Sequence, residues 1–358
     1  MNARENLLAV LHHENPERIP WFIYGELIGI GSLERELRNM GLGVIHAWIP
    51  PYKVYNVEYP NVRIEDKEMG DILQRFFHTA VGTVSMKIRT GLKRGTGRRW
   101  VVEHMIKDVS DYKVVKFIVE DAIYRPNYDL FFDLERDIGG DGVVVADIDS
   151  TPLTKLWADY MGIERFSIDL YRHTREIDDL VQTIIQKQEK AYRIVSDSPA
   201  ELVWCGDQIN GAVISPNLFR KYYLPVFERY AQILHAKKKI FAVHMDGLLK
   251  SLKDCISETD VDIVEGFTPP PMGNLTLREA RAAWRDGCII WVNFPETLFH
   301  FGAKETRECL IRLLEEAKPG DSLVMGITED MPPDLMEEGL RAITKTMRKY
   351  GRYPISIP

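Results

Sequence analysis

The chain has 358 residues, of which 45% are hydrophobic and 28% charged, and its formal net charge at pH 7 is -7. This composition supports a large buried core and excludes a disordered or fibrous protein. The acidic balance argues against nucleic acid as a partner, because binding to a phosphate backbone requires a concentrated basic surface. We therefore expect a globular protein with no nucleic-acid partner.

Cysteine usage and hydropathy predict the compartment. The four cysteines lack the Cys-x-x-Cys spacing of a thiolate zinc site, and the charged N-terminal residues are unlike a secretory signal. No run approaches the roughly 18 apolar residues that a membrane span requires. We expect a cytoplasmic protein with reduced thiols, no disulfide framework and no membrane partner. The cysteines are Cys205, Cys255, Cys288 and Cys309.

The N-terminal residues predict a first β-α-β unit. Residues 3–13 have the pattern of a short amphipathic helix, and a turn over 15–20 leads into an apolar strand, Trp21 to Tyr24. A helix over 33–40 and a second strand, Gly43 to Ile49, complete the unit.

From residue 52 to 106 the pattern changes to short alternating segments, which is typical of antiparallel hairpins. We interpret this region as an insertion rich in β-hairpins. Its basic stretch, Lys87 to Arg99, has glycines between its charges, so a solvated hairpin turn explains it more simply than an anion site. Helical stretches are predicted from Asp108 and over 127–137.

The C-terminal half alternates regularly between apolar runs and helical segments. Six such units, added to the two near the N-terminus, make eight, and continuous apolar strands are what a parallel barrel requires. We therefore predict an α/β protein, a single (β/α)8 TIM barrel spanning 1–358 with the hairpin insertion at 52–106. The runs are Val143–Ala146, Leu202–Trp204, Ile240–Val243, Ile263–Val264, Ile289–Val292 and Leu323–Met325.

In such barrels the reactive residues follow the C-terminal ends of the strands. The densest group of polar residues at these points is His244 and Asp246, with Glu265 ending the next strand. Alternation along a strand turns His244 and Asp246 the same way. An imidazole and carboxylates suit a divalent cation such as Zn2+, and Glu329 after the last strand is placed to be a fourth ligand.

A structural interpretation of this group is also open. His244 can form a hydrogen-bonded pair with Asp246 or Glu265 inside the core, with no metal between them. The sequence does not decide between the metal site and the buried pair.

Other strand ends supply candidate catalytic and substrate-binding residues. Asp207, in a loop flanked by Gly206 and Gly211, is either a catalytic group or a cap for the loop. Cys205 is more simply a small core residue than a nucleophile. The predicted substrate contacts are Tyr24, Glu26, Asp147 and Asn210.

Several motifs resemble the uroporphyrinogen decarboxylase superfamily across nearly the whole chain. They are Asn15–Pro20, Ile214–Pro216, Phe219–Pro225 and the strand that ends in His244. The resemblance implies a (β/α)8 barrel. It also implies either the haem-pathway decarboxylation or a zinc-dependent methyl transfer that uses a corrinoid cofactor.

Two departures disfavour the decarboxylase branch. Its arginine-rich segment, which binds the carboxylates of the tetrapyrrole, has no counterpart in Trp21 to Gly31, which contains no Arg or Lys. Its essential aspartate after the second strand has none in Val44 to Pro50.

The methyltransferase branch has a zinc site that begins with His-x-Cys on the strand of His244 and is completed from the last strand. The run is also similar to the zinc strand of cobalamin-independent methionine synthase, whose next strand ends in a zinc-bound glutamate at the position of Glu265. Both thiolates are missing here, because Asp246 replaces the first and Gly326 to Asp330 contains no cysteine.

A site of histidine and carboxylates is harder than a thiolate site and better suited to activating an oxygen atom. The hypothesis is a methyltransferase with His244, Asp246 and Asp207 as catalytic residues and a methyl ether or other oxygen-linked methyl donor. A metal would polarise the leaving oxygen, and a corrinoid on a separate partner protein would accept the methyl group. A homodimer fits this hypothesis as well.

Two competing hypotheses remain. One is a metal-free decarboxylase or lyase for a smaller acid, with Asp207 or Asp147 transferring protons. The other is a barrel retained as a ligand-binding or structural protein.

Overall fold

The computed structural model describes residues 1–46, 53–90, 100–284 and 287–357. The chain forms two compact units. The first comprises Met1–Lys53, Tyr128–Asp147 and Pro199–Pro358, and the second comprises Val54–Asn127 and Ile148–Ser198.

The first unit is built around one sheet, whose strand order is β10-β11-β12-β13-β14-β15-β1-β2-β9. β9 and β10 are the two halves of one extended segment, interrupted at Val145, so the order closes on itself as a barrel of eight. The strand pairs from β11 round to β9 are parallel. The strands are β1 Trp21–Tyr24, β2 Leu42–His46, β9 Gly142–Val144, β10 Ala146–Ile148, β11 Leu202–Cys205, β12 Ile240–His244, β13 Ile263–Phe267, β14 Ile289–Asn293 and β15 Leu323–Ile327.

Helices connect these strands along the chain. Several begin at the caps their sequences encode: the Ser215 hydroxyl accepts from the Leu218 N–H at 3.2 Å, and Thr276 and Glu279 form a capping box. The helices of this unit are α1 Ala3–Leu11, α2 Ser32–Asn39, α4 Asp129–Ile138, α8 Pro216–Leu218, α9 Leu224–His235, α10 Lys253–Ser257, α11 Leu277–Ala283, α12 Gly302–Glu316 and α13 Met336–Tyr350.

Burial explains the apolar runs. Every residue of β1 and of β11, β13, β14 and β15 is buried, as a strand covered on both faces requires. Large side chains fill the core, and Phe22 meets Trp291 edge to face with centroids 5.9 Å apart. Polar side chains are therefore concentrated where the strands end.

The second unit combines antiparallel strands with helices. β3 pairs with β8, and β4 to β7 form a four-stranded antiparallel meander. The buried Asp169 accepts from the Tyr112 hydroxyl at 2.8 Å and pairs with Arg165. The elements are β3 Tyr55–Glu58, β4 Arg63–Met69, β5 Ile72–Thr79, β6 Gly82–Arg89, β7 Trp100–Glu103, β8 Ile123–Pro126, α3 Tyr112–Asp121, α5 Pro152–Thr154, α6 Gly162–Arg172 and α7 Thr174–Ser196.

The predicted (β/α)8 barrel and its antiparallel hairpins are confirmed. The first strand has the predicted limits, and the hairpin strands lie within 52–106. Three predicted features lie outside the described residues. They are the end of the second strand at Ile49, the start of the insertion at Tyr52 and the turn over 91–99. A single domain over 1–358 stays a prediction.

None of the described helices is long and apolar enough to cross a bilayer. The cytoplasmic location stays a prediction.

Candidate functional site

The predicted centre lies where β12 and β13 end. His244 is the last residue of β12, and its register partner on β13 is Glu265. β13 bulges between Glu265 and Phe267, where Gly266 has a φ of +76°. A Cβ on Gly266 would lie 2.4 Å from the His244 ring, so only glycine leaves room for the imidazole.

Glu265 is fully buried and accepts hydrogen bonds from three side chains. The Tyr24 hydroxyl donates to Oε1 at 2.7 Å, and the Trp204 indole donates to Oε2 at 2.9 Å. His244 Nδ1 lies 2.6 Å from Oε2, and because a carboxylate only accepts, Nδ1 is the protonated nitrogen. The imidazole is thereby fixed with Nε2 toward Glu329, and this is the nitrogen that could bind a metal once it has lost its proton.

The electrostatics follow from this burial. Burial lowers the pKa of His244, but the Glu265 carboxylate, with Glu329 and Asp246, outweighs it and holds that pKa well above its ordinary value. Burial, then the Glu265 charge, raises the pKa of Tyr24 well above its usual range, so the phenol stays a donor.

His244, Asp246 and Glu329 form a group that could hold a metal ion. Their ligand atoms all lie within 4.8 Å of one another, and no other such group occurs among the described residues. His244 Nε2 lies 3.4 Å from Glu329 Oε1. Two ligands of tetrahedral zinc, with bonds of about 2.0–2.1 Å, are separated by about 3.3 Å, so this pair fits the ion.

Asp246 lies two residues beyond the end of β12. Its pKa is raised above the ordinary value, because burial and the Glu329 charge, which raise it, outweigh His244, which lowers it. A cation at this group would relieve the repulsion between the two carboxylates. The donor set, one imidazole nitrogen and two carboxylate oxygens, leaves a fourth position open, as catalytic zinc sites do.

Glu265 occupies a different place from these three residues. It is on the Nδ1 side of His244, where its oxygens are taken by three donors. Both sequence interpretations therefore have a counterpart here, since His244 has a buried pair on one nitrogen and a candidate metal group on the other.

Asp207 and Asn210 lie in the loop after β11. Asp207 is 1% exposed and its Oδ1 accepts from the Gln208 N–H at 2.8 Å. Asn210 Oδ1 accepts from the Ala212 N–H at 2.9 Å and from the Leu248 N–H at 3.4 Å, which joins this loop to the one after β12. Neither residue belongs to the metal group.

Tyr24, Glu26 and Asp147 end other strands. Tyr24 is buried against Glu265, and Glu26 follows in the 3-10 turn Gly25–Leu27, close enough for its charge to raise the pKa of Tyr24. Asp147 is buried in β10. Their roles as substrate contacts stay predictions.

Sequence reasoning assigned no role to three residues around this centre. Trp204 appeared only as part of a strand, although its indole holds Glu265. Asn293, fully buried at the end of β14, accepts from the Thr328 N–H at 2.9 Å and thereby fixes the residue before Glu329. Glu296 lies three residues past that strand, and its one signal is a carboxylate close after a strand end.

Comparisons with known proteins agree with this architecture. No curated protein matches the sequence. A methyltransferase from Methanosarcina mazei has the same fold, with a TM-score of 0.62 at 12% sequence identity, and the alignment covers 98% of this chain and 99% of that one. A Listeria monocytogenes protein described as a vitamin-B12-independent methionine synthase aligns with a TM-score of 0.35 at 12% identity, over 62% of this chain and 69% of that one, which is too slight to carry an argument. The family model for uroporphyrinogen decarboxylase (URO-D) matches residues 2–350, and the chain therefore belongs to the uroporphyrinogen decarboxylase family.

Proposed function

We propose that this protein is a metal-assisted methyltransferase that takes a methyl group from a small, oxygen-linked donor and delivers it to a corrinoid carried by a separate protein. The observation that carries the proposal is the convergence of His244, Asp246 and Glu329 at the C-terminal ends of β12 and β15. In a (β/α)8 barrel this is the end where active sites lie.

The donor set favours oxygen chemistry. One imidazole and two carboxylates, with no thiolate in the group, make a harder site than one that binds thiol substrates. A divalent metal, most simply Zn2+, would act as a Lewis acid on an oxygen atom. A methyl ether or other O-methyl compound therefore suits this site better than a thiol.

The surrounding residues hold the ligands in place. Glu265 accepts a hydrogen bond from His244 Nδ1, which fixes the orientation of the ring and makes Nε2 a more basic metal ligand. Tyr24 and Trp204 hold Glu265 in turn. We thus assign Glu265 a positioning role, although the sequence had predicted it as a ligand.

We retain the other predicted residues as proposals. Asp207 is assigned to catalysis, and Glu26, Asp147 and Asn210 to substrate binding, since all lie at or just after strands of the barrel. The corrinoid partner rests on the family and on the shared fold of the Methanosarcina mazei methyltransferase.

Decarboxylation of a tetrapyrrole is disfavoured by charge. Such a substrate carries many carboxylates, and three of the four groups of this centre, which also includes His244, are themselves acidic: Asp246, Glu265 and Glu329. Opposite charges would be needed to bind it.

The test combines metal analysis with a methyl-transfer assay. Purified protein is expected to hold about one divalent metal ion per chain. It should transfer methyl groups to cob(I)alamin from members of a panel of methoxybenzenes and aliphatic methyl ethers. The absorbance of the methylcobalamin product measures the reaction. Removing the metal with a chelator should abolish the reaction, and Zn2+ should restore it. Metal-free protein that is active would overturn the metal role, and release of CO2 from a carboxylic acid without methyl transfer would overturn the function.

A further inference from the structure

A buried carboxyl that the metal group does not use lies just after β14. Glu296 begins the 3-10 turn Glu296–Phe301, is 5% exposed, and has its Oε2 3.5 Å from Asn293 Nδ2. Within the described ranges no lysine, arginine or histidine pairs with it. A buried carboxyl without a cation is favoured in its protonated form.

The neighbouring charges act in the same direction. Burial, and then the carboxylates of Glu329 and Asp330, raise the pKa of Glu296 to about 7. On the helices packed against its turn, α12 and α13, two cations are already paired with other carboxylates: Lys304 pairs with Glu308 and Arg341 with Glu337.

A short hydrogen-bond path leads from Glu296 to Thr328, the residue next to the candidate ligand Glu329. The buried Asn293 donates from Nδ2 toward Glu296 and to the Thr268 hydroxyl at 3.2 Å, while its Oδ1 accepts from the Thr328 N–H. Thr328 directly precedes Glu329, one of the candidate ligands. One amide side chain therefore connects the buried carboxyl to the strand end that presents Glu329.

A second buried polar group, next to Glu329, has no hydrogen-bond partner among the described residues. The Thr328 hydroxyl is buried and makes no hydrogen bond with any described residue. Buried hydroxyls are normally satisfied, so a group without a partner beside a candidate metal site indicates a missing ligand or water.

We propose that Glu296 is the acid that protonates the leaving oxygen of the methyl donor, a role that rests on the proposed methyl transfer. In the balanced step the bond between methyl carbon and oxygen breaks, and its electron pair stays on the oxygen. The Glu296 proton passes to that oxygen and gives a neutral alcohol or phenol. The methyl carbon bonds to the corrinoid cobalt through the electron pair of Co(I), which becomes Co(III). Glu296 is left as a carboxylate and regains a proton from solvent.

The decisive variant is Glu296→Gln, which keeps the size and the contact with Asn293 but has no acidic proton. Glu308→Gln, on the exposed face of α12, is the matched control. General acids contribute about 100- to 10,000-fold, and most where the leaving oxygen is basic. We expect Glu296→Gln to lose about 100-fold or more in kcat with alkyl methyl ethers and far less with nitrophenyl methyl ethers, at unchanged metal content.

A readout independent of activity is the pH dependence of stability. The folded pKa of Glu296, about 7, lies above its ordinary 4.5. Folded protein therefore binds more protons than unfolded protein between these values, and the wild type loses stability as pH rises through this window. Glutamine does not titrate, so the urea midpoint of Glu296→Gln should rise relative to wild type between pH 5 and pH 8, while Glu308→Gln should follow wild type.

The outcomes separate the two proposals. Equal losses across all leaving groups, a parallel pH dependence of the urea midpoint, or loss of metal from Glu296→Gln would each overturn the proton-donor role and leave methyl transfer standing. Wild-type protein that transfers no methyl group would overturn both.

Discussion

Two histidine–carboxylate pairs lie at opposite ends of β12 and β13. His235 ends α9 just ahead of β12, and its Nε2 lies 2.8 Å from the Oδ2 of Asp262, which precedes β13. At the other end of these strands His244 Nδ1 lies 2.6 Å from Glu265 Oε2. The chemistry of the two pairs is similar, and their surroundings are not.

Exposure separates them. The side chains of His235 and Asp262 are 39% and 27% exposed, whereas those of His244 and Glu265 are 11% and 1% exposed. Asp262 also accepts from the Phe241 N–H at 2.8 Å, an ordinary backbone contact. An exposed pair contributes little to stability, while a buried carboxylate with three donors fixes its partner's geometry. The contrast shows that location in the barrel, more than residue type, makes such a pair a candidate site.

The largest expected difference comes from removing each histidine. His244→Ala should reduce metal affinity by about 1,000-fold or more, because the ring supplies the nitrogen ligand of the group. His235→Ala should bind metal like the wild type. Metal content and competition titrations with a chelator measure both. Equal metal binding by the two variants would remove the distinction between the two ends.

Exchanging each carboxylate for its amide should give a smaller difference. Glu265→Gln replaces an acceptor by a donor that faces groups which themselves donate, so His244 loses its orientation. We expect metal affinity to fall about 10- to 100-fold, as for other partners of metal-bound histidine. Asp262→Asn is the control and should leave affinity unchanged. A loss as complete as that of His244→Ala would instead make Glu265 a ligand, as the sequence had predicted.

The sequence predicted the position of the His244–Glu265 pair but not its geometry. Continuous apolar runs bounded by turns set the limits of β1 and ended β12 beside His244, because burial on both faces demands such runs. Glu265 could be placed beside His244 but not assigned to one of its nitrogens. That assignment depends on the strand register, the bulge at Gly266 and two donors from distant strands.

Other features depend on tertiary context in the same way. No local sequence pattern marks the break of the third barrel strand at Val145. None marks the grouping of residues 148–198 with the hairpins either. Glu296 escaped notice because its burial and its neighbours, not its residue type, distinguish it.

The bulge offers a milder perturbation of the buried pair. Gly266→Ala puts a Cβ 2.4 Å from the His244 ring at a positive φ, whereas Gly302→Ala, at a φ of +85°, meets no atom within 4 Å. Both variants put a side chain at a positive φ, which costs about 1–3 kcal/mol, so the difference between them reports mainly the collision with the His244 ring. For Gly266→Ala alone we expect the free energy of unfolding, measured with urea, to fall by a further amount of about 1–3 kcal/mol. Metal binding should also be about tenfold weaker. Identical unfolding curves would show that the ring does not depend on this glycine.

The smallest expected effect lies one step further from the metal group, at the indole that holds Glu265. Trp204→Phe removes one of the three donors to Glu265 and leaves those of Tyr24 and His244. Trp291→Phe makes the same change at the register partner of Glu265 on β14, which gives it no hydrogen bond.

Both replacements lose similar volume. Trp204→Phe should be less stable than Trp291→Phe by about 1.5–3 kcal/mol, the net contribution of a hydrogen bond to a charged group, and should bind metal less than tenfold more weakly than wild type. Chemical unfolding and chelator competition on the two variants make the comparison. If metal binding weakens equally in both, packing around the barrel end controls the site, and the chain from Trp204 through Glu265 to His244 has no separate effect.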